Sequence, residues 1–133
     1  MNDRVFVDSN IFLYLVRDEK GRKEKAIEIL NSNPLISTQV IGENIFVCRK
    51  KFALPVEQCL VHGEYLLAKC RVMSITVDIT RNAIKISRRY GYSIWDCFII
   101  ATALLNNCSI LYSEDLQHKQ LIEKKLTIIN PFL

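Results

Sequence analysis

The chain has 133 residues, half of them hydrophobic, which suits one domain spanning residues 1–133 and excludes a disordered polymer. Eighteen basic residues against 14 acidic ones give a net charge of +4, which permits nucleic-acid binding without requiring it. No apolar run approaches the roughly 18 residues of a membrane span, and the start of the chain lacks the order of a signal peptide. We therefore expect a cytoplasmic protein without membrane contact.

The pattern of hydrophobic residues predicts alternating strands and helices. In chain order these are strand 4–8, helix 10–16, helix 22–30, strand 34–37, helix 38–51, helix 55–70, strand 72–75, helix 76–90, helix 94–106, strand 109–112 and strand 126–129. Pro55 suits the start of its helix, Thr76 is a plausible N-cap, and Gly91 ends the helix that Thr76 begins. Short strands separated by helices, without two-residue hairpin turns, predict a three-layer α/β/α fold around a central parallel sheet of four or five strands.

The five cysteines are dispersed and form no C-x-x-C motif, and neither of the two histidines has a short ligand spacing to a cysteine or to the other histidine. Each cysteine lies in or beside an apolar run, where a reduced thiol behaves as a small core residue. We expect structural thiols and no zinc centre. The cysteines are Cys48, Cys59, Cys70, Cys97 and Cys108.

Two acids lie just past the carboxyl ends of predicted strands, where parallel α/β sheets place their ligands. Asp8 closes the first strand and precedes Ser9 and Asn10 at the start of a helix, so it suits a helix cap as well as a metal ligand. Asp115 follows the strand 109–112, and an ordinary turn residue is its structural alternative.

Asp96 is the one charged side chain in the run from Ile94 to Leu105. A helix that is apolar on all sides is buried, and an unpaired carboxylate there costs several kcal/mol. Ser93 to Asp96 also fits a capping box, in which Asp96 reaches back to the N–H of Ser93. Both interpretations hold together if the first turn of the helix borders a cleft.

Glu43 lies near the start of the helix that follows the second strand. A solvated helix glutamate is its simplest interpretation. Gly42 beside it is a poor helix former, costing about 1 kcal/mol relative to alanine, which suggests a close approach to the backbone, and helix packing is the simpler cause.

Taken together, these four carboxylates start from one edge of the predicted sheet. Their convergence would raise their pKa values unless a divalent cation neutralised them. Oxygen ligands without histidine partners favour Mg²⁺ or Mn²⁺ over zinc. Such a site suits in-line attack on a phosphodiester.

The order and setting of the acids resemble the PIN-domain family, particularly its VapC-type toxin ribonucleases. The resemblance rests on four motifs along nearly the whole chain: Val5–Asn10, Ile41–Asn44, Ser93–Ala103 and Ser113–Asp115. It departs from the family pattern at Trp95 and Cys97, which flank Asp96 where less bulky residues are common.

The resemblance implies a metal-dependent endoribonuclease. Asp8, Asp96 and Asp115 would hold the metal, with Glu43 assisting as a ligand or through a bound water. Supporting roles would fall to Asn10, Ser93 and Ser113. Glu114 leaves open which of two adjacent acids is the fourth ligand.

The resemblance also implies a single-stranded or looped RNA substrate, a homodimer and a small antitoxin protein. Arg49, Lys50 and Arg88 belong to basic clusters and are candidate RNA contacts, although a solvated helix face is the simpler explanation of each cluster. A catalytically silent PIN-like module that binds RNA or protein is the alternative. A phosphotransfer domain is disfavoured, because Asp8-Ser9-Asn10 provides neither adjacent acids nor a D-x-D motif.

Overall fold

The computed structural model describes residues 3–133 and contains a six-stranded sheet. Its strands are β1 (Val5–Val7), β2 (Leu35–Ser37), β3 (Arg71–Met73), β4 (Ile110–Tyr112), β5 (Leu121–Ile122) and β6 (Leu126–Ile129). Its helices are α1 (Ser9–Phe12), α2 (Lys23–Leu30), α3 (Thr38–Lys50), α4 (Val56–Lys69), α5 (Val77–Tyr90) and α6 (Ile94–Leu105). Met1 and Asn2, which bear on the expected lack of a signal peptide, lie outside the described residues.

The strand order is β3-β2-β1-β4-β6-β5, and every neighbouring pair is parallel except β5 and β6. Phe6 of β1 lies opposite Leu35 of β2 on one side and Leu111 of β4 on the other. The first strand of the chain therefore lies inside the sheet, next to a strand that forms about a hundred residues later. This arrangement confirms the predicted α/β class.

Helices cover both faces of the sheet. Successive strand residues point to opposite faces, and Phe6 and Val7 of β1 are both fully buried, as are Leu35 and Ile36 of β2. Burial on both sides requires a layer of helices above and below the sheet. The three-layer arrangement follows directly from these apolar strand pairs.

All five of the parallel strands indicated by the hydrophobic pattern form, and the sheet contains one further strand that the pattern did not predict. This further strand is β5, which pairs antiparallel with β6 through Ile122 and Leu126. The two strands are joined by a tight turn in which Glu123 and Lys124 have φ angles of 51° and 57°. Such turns normally contain asparagine, aspartate or glycine, so this turn left no signal in the sequence.

The helix-end signals were read correctly at α5. The Thr76 hydroxyl accepts from the N–H of Ile79 at 3.2 Å, and Gly91 ends the helix with a φ of 77°, a left-handed conformation that glycine adopts without strain. The run predicted as helix 10–16 divides into α1 and a 3-10 turn at Leu13–Leu15. None of the helices formed by residues 3–133 is long and apolar enough to cross a bilayer.

Candidate active site

Asp8 lies at the junction of β1 and α1 and is 6% exposed. Its carboxylate serves as the N-cap of α1, accepting from the N–H of Ser9 at 2.7 Å. Its second oxygen accepts from the hydroxyl of Ser113 at 2.8 Å. The capping interpretation is therefore correct, and it leaves the carboxylate at the edge of the sheet where a ligand would bind.

The pKa of Asp8 is raised to about 7, chiefly because burial removes its carboxylate from water. The hydrogen bonds from Ser113 and Ser9 lower the pKa, and the negative charges of Asp115 and Glu43 raise it again. An acid with this balance is close to half ionised near neutral pH. A cation beside it would favour the ionised form.

Glu43 is attached to α1 by a hydrogen bond across 34 positions of sequence. Its carboxylate accepts from the hydroxyl of Ser9 at 2.7 Å and from the side-chain amide of Gln39 at 3.2 Å. The same amide donates to the main-chain carbonyl of Trp95 at 3.2 Å. Gln39 thus connects Glu43 on α3 to the first turn of α6, and Glu43 is not a freely solvated helix residue.

Asp96 lies in the first turn of α6, whose N-cap is Ser93. The Ser93 hydroxyl accepts from the N–H of Asp96 at 3.2 Å. The reciprocal bond of a capping box, from the N–H of Ser93 to the Asp96 carboxylate, does not form among the hydrogen bonds of residues 3–133. Burial raises the pKa of Asp96, Ser93 lowers it, and the charge of Asp115 raises it further.

Asp115 and Glu114 are adjacent in sequence but face different surroundings. The N–H of Asp115 donates to the Ser113 hydroxyl at 3.2 Å, so one serine contacts both Asp8 and Asp115. Glu114 forms an ion pair with Arg22, and its N–H donates to the side-chain oxygen of Asn10 at 3.3 Å. The geometry therefore makes Asp115, rather than Glu114, the candidate fourth acid.

A cleft of about 320 Å³ brings the four acids together. We call it the acidic cleft, and its lining residues are Asp8, Ser9, Asn10, Leu13, Gln39, Glu43, Val47, Lys51, Phe52, Trp95, Asp96, Ile99 and Asp115. They come from α1 with its N-cap and the 3-10 turn that follows it, from α3 and the two residues after it, from α6, and from the segment after β4. Of the three predicted supporting residues, Asn10 lines the cleft. Ser93 and Ser113 do not line it: Ser113 hydrogen-bonds Asp8 and Asp115, and Ser93 hydrogen-bonds Asp96.

A buried polar pair supports the cleft, and no sequence pattern predicts it. Asn44 is fully buried beside Glu43, and its amide donates to the main-chain carbonyl of Ser9 at 3.1 Å. Its side-chain oxygen lies 3.0 Å from Nε2 of His62 on α4. Because the amide nitrogen already donates, this oxygen must accept, so His62 is the donor. Asn44 therefore joins three helices at the position of Glu43.

The three candidate RNA contacts, Arg49, Lys50 and Arg88, do not line the acidic cleft. Arg49 and Lys50, at the end of α3, line a separate shallow depression, and the Arg49 guanidinium donates to the carbonyl of Leu54 at 3.0 Å. Arg88 is exposed on α5 and does not line the acidic cleft. The cation that does line it is Lys51, the next residue after the predicted pair.

The acidic cleft has the donor chemistry of a site for a hard cation. Its lining offers carboxylate oxygens and no histidine or thiolate, a set that suits Mg²⁺ or Mn²⁺. Within residues 3–133, no three acidic, histidine or cysteine side chains form a ready-made metal centre. The donor types fit the ion, and its binding would have to draw the carboxylates closer together.

Fold and cleft together define a class: a parallel α/β protein with a carboxylate site beyond the carboxyl ends of its central strands. The chain belongs to the PIN-domain family, because the sequence model of that family, described as PIN domain, matches residues 5–124. A search of curated proteins found no matching sequence.

Solved structures share the fold at low sequence identity. A VapC20 toxin from Mycobacterium tuberculosis, described as cleaving the sarcin–ricin loop, is 21% identical with a TM-score of 0.69, over 84% of this chain and 89% of that one. A toxin–antitoxin complex from Klebsiella pneumoniae is 22% identical with a TM-score of 0.71, over 96% and 97%. DNA-bound VapBC from Salmonella typhimurium is 17% identical with a TM-score of 0.71, over 96% and 97%.

Proposed function

We propose that this protein is a Mg²⁺- or Mn²⁺-dependent endoribonuclease whose reaction takes place in the acidic cleft. The observation that carries the proposal is the convergence of Asp8, Glu43, Asp96 and Asp115 on one cleft. The competing interpretation, a silent binding module, predicts scattered acids. An uncompensated carboxylate cluster is costly for a fold that uses it only as structure.

In the proposed site Asp8, Asp96 and Asp115 would hold the cation, and Glu43 would contribute as a further ligand or through a bound water. A divalent cation bound there would supply activation of water and stabilisation of charge on a departing oxygen. The Ser113 hydroxyl orients Asp8, and the Ser9 hydroxyl orients Glu43.

Asp96→Asn tests the nuclease activity. The Ser93 hydroxyl caps α6 through the main-chain N–H of Asp96, a bond that the variant retains, so the fold should survive while Mg²⁺-dependent cleavage of RNA is abolished. Asp78→Asn is the matched control, because Asp78 is an exposed acid on α5 paired with Arg81. Full cleavage by Asp96→Asn, measured on a labelled single-stranded RNA, would contradict the proposal.

We further propose that the protein is the toxin of a toxin–antitoxin pair and acts as a cytoplasmic homodimer. The family, together with the fold shared with toxin–antitoxin complexes, supports the toxin assignment. Induced expression in bacteria should arrest growth with the wild-type chain and not with Asp96→Asn. Co-expression of a small DNA-binding protein from the adjoining reading frame should restore growth. Undiminished growth with the active enzyme would contradict the toxin assignment and leave the nuclease activity standing.

A further inference from the structure

The rim of the acidic cleft carries an exposed indole. Trp95 is the one tryptophan of the chain, it lies next to Asp96 in the first turn of α6, and it is 63% exposed. Tryptophan has a large apolar surface, and leaving it in water forgoes a substantial hydrophobic gain. A ligand with a flat apolar face that stacked on this indole would remove its apolar surface from water.

The exposed indole is held in place. Its ring lies against Phe98, with the ring centroids 5.8 Å apart and the planes tilted by 40°. The main-chain carbonyl of Trp95 accepts from the amide of Gln39, and that amide also donates to Glu43. The main chain that carries the indole is thus attached to the network that positions a cleft carboxylate, and the ring itself is supported by Phe98. A platform fixed in this way loses little conformational freedom when a ligand stacks on it.

The same cleft also contains a positive charge, contributed by Lys51 just after the end of α3. Phe52 lies beside it, and the face of its ring is occupied by the guanidinium of Arg17, 4.8 Å from the ring centroid. This leaves Trp95 as the exposed aromatic surface of the lining. A cation together with an aromatic platform is the combination that binds single-stranded nucleic acid.

We propose that Trp95 is a base-stacking platform, on which an unpaired nucleobase next to the scissile phosphate stacks while Lys51 binds a neighbouring phosphate. The proposal rests on the ribonuclease function and narrows its substrate to RNA with an unstacked base at the cleft. Bases within a duplex are already stacked on one another and cannot reach the indole without being pulled out.

Because Trp95 is the sole tryptophan, the intrinsic fluorescence of the protein reports on this site directly. We would titrate the Asp8→Asn variant in Mg²⁺, which we expect to bind RNA without cleaving it. The probes are a short single-stranded RNA, the same RNA annealed into a duplex, and versions with one abasic position. We expect quenching by the single strand, little by the duplex, and loss of quenching at one abasic position. An unchanged emission with bound RNA would overturn the proposal.

Substitutions give an independent readout. Trp95→Ala should weaken RNA binding roughly 5- to 150-fold, which corresponds to about 1–3 kcal/mol for a lost base stack, and should raise KM more than it lowers kcat. Trp95→Phe should retain most of the binding, because the smaller ring still stacks. Tyr65→Ala is the matched control, since Tyr65 is an aromatic residue of α4, 48% exposed, outside the acidic cleft.

The outcomes separate the two proposals. If the wild-type chain cleaves no RNA, the nuclease function fails, whatever Trp95 does. If it cleaves RNA and Trp95→Ala binds and cleaves equally well, the stacking proposal fails alone. If the emission shifts with protein concentration and not with RNA, a second copy of the chain covers the indole, and the stacking proposal is overturned.

Discussion

Two charge clusters lie side by side after β4 and are organised in opposite ways. Glu114 is neutralised by the guanidinium of Arg22, which also donates to the Tyr14 hydroxyl at 3.0 Å and lies 5.0 Å from the ring centroid of Phe132. Asp115, the next residue, faces the acidic cleft with no ion-pair partner among residues 3–133. The guanidinium of Arg22 thus neutralises Glu114 and stabilises the fold. The acids of the cleft have no such counter-charge, and a bound cation would supply it.

The contrast between Asp115 and Glu114 predicts the largest effect, which is on the rate of RNA cleavage. Asp115→Asn should lower RNA cleavage at least about 100-fold, since even outer partners of a metal ligand typically contribute 10- to 100-fold. Glu114→Gln should change cleavage less than about threefold. Initial rates at saturating Mg²⁺ measure both. A larger loss from Glu114→Gln than from Asp115→Asn would reverse the assignment of the fourth acid.

The second prediction concerns the free energy of folding that is lost by burying the charge of Asp8. Burial raises the pKa of Asp8 to about 7, so its charge opposes folding fully above pH 7, and the cost shrinks as the pH falls from 7 towards 4. Asp8→Asn should therefore raise the Tm at pH 8 without metal by about 3 °C or more. Mg²⁺ should raise the Tm of the wild type and leave that of the variant unchanged. A lowered Tm in the metal-free variant would show that the carboxylate stabilises the fold.

Glu114→Gln should lower the stability of the fold, whereas Asp8→Asn should raise it. The side chains of Arg22 and Glu114 are 25% and 17% exposed, so the variant leaves a guanidinium without its counter-charge. We expect the Tm to fall by about 2–5 °C, because partly buried pairs contribute more than exposed ones. Calorimetry of Glu24→Gln, an exposed acid of α2, provides the control. Equal Tm values for both variants would make the ion pair energetically unimportant.

The smallest effect concerns His62. Burial lowers the pKa of this imidazole below its ordinary value of 6.5, so protons bind the unfolded state more readily once the pH falls below about 6.5. His62→Gln retains a donor for Asn44 and removes the titration. The stability of the wild type should fall relative to His62→Gln as the pH is lowered from 7 to 5.5, by at most about 1 kcal/mol. If the denaturant midpoints of the wild type and His62→Gln changed in parallel across that range, the claim that His62 is buried in its neutral form would be contradicted.

Much of the fold was predictable because it depends on local signals. The apolar strand Val5–Val7, the Thr76 cap and the Gly91 terminus each mark an element within a few residues of sequence. β5 was missed because its two residues and the turn at Glu123 have no distinctive composition. Local signals therefore predicted the layers of the fold but not its edge strand, β5.

The site was predictable only in part. Acids at strand ends are visible in sequence because parallel strands share an edge. The hydrogen bond between Ser9 and Glu43, the Asn44–His62 pair and the separate orientations of Glu114 and Asp115 depend on contacts between distant segments. Gln39 gave no signal, because a helix glutamine is an ordinary surface feature. Lys51 belonged to a basic cluster with Arg49 and Lys50, for which a solvated helix face was the simpler explanation.

The sheet order has a consequence for protein synthesis. β1 is made about a hundred residues before its neighbour β4, and Asp8 is hydrogen-bonded by the serine hydroxyl of position 113. Chains are synthesised at roughly 5–20 residues per second, so several seconds separate the synthesis of Asp8 from that of its partner. The four acids of the cleft therefore come together only after residue 115 has been made, and a shorter nascent chain has no complete cleft.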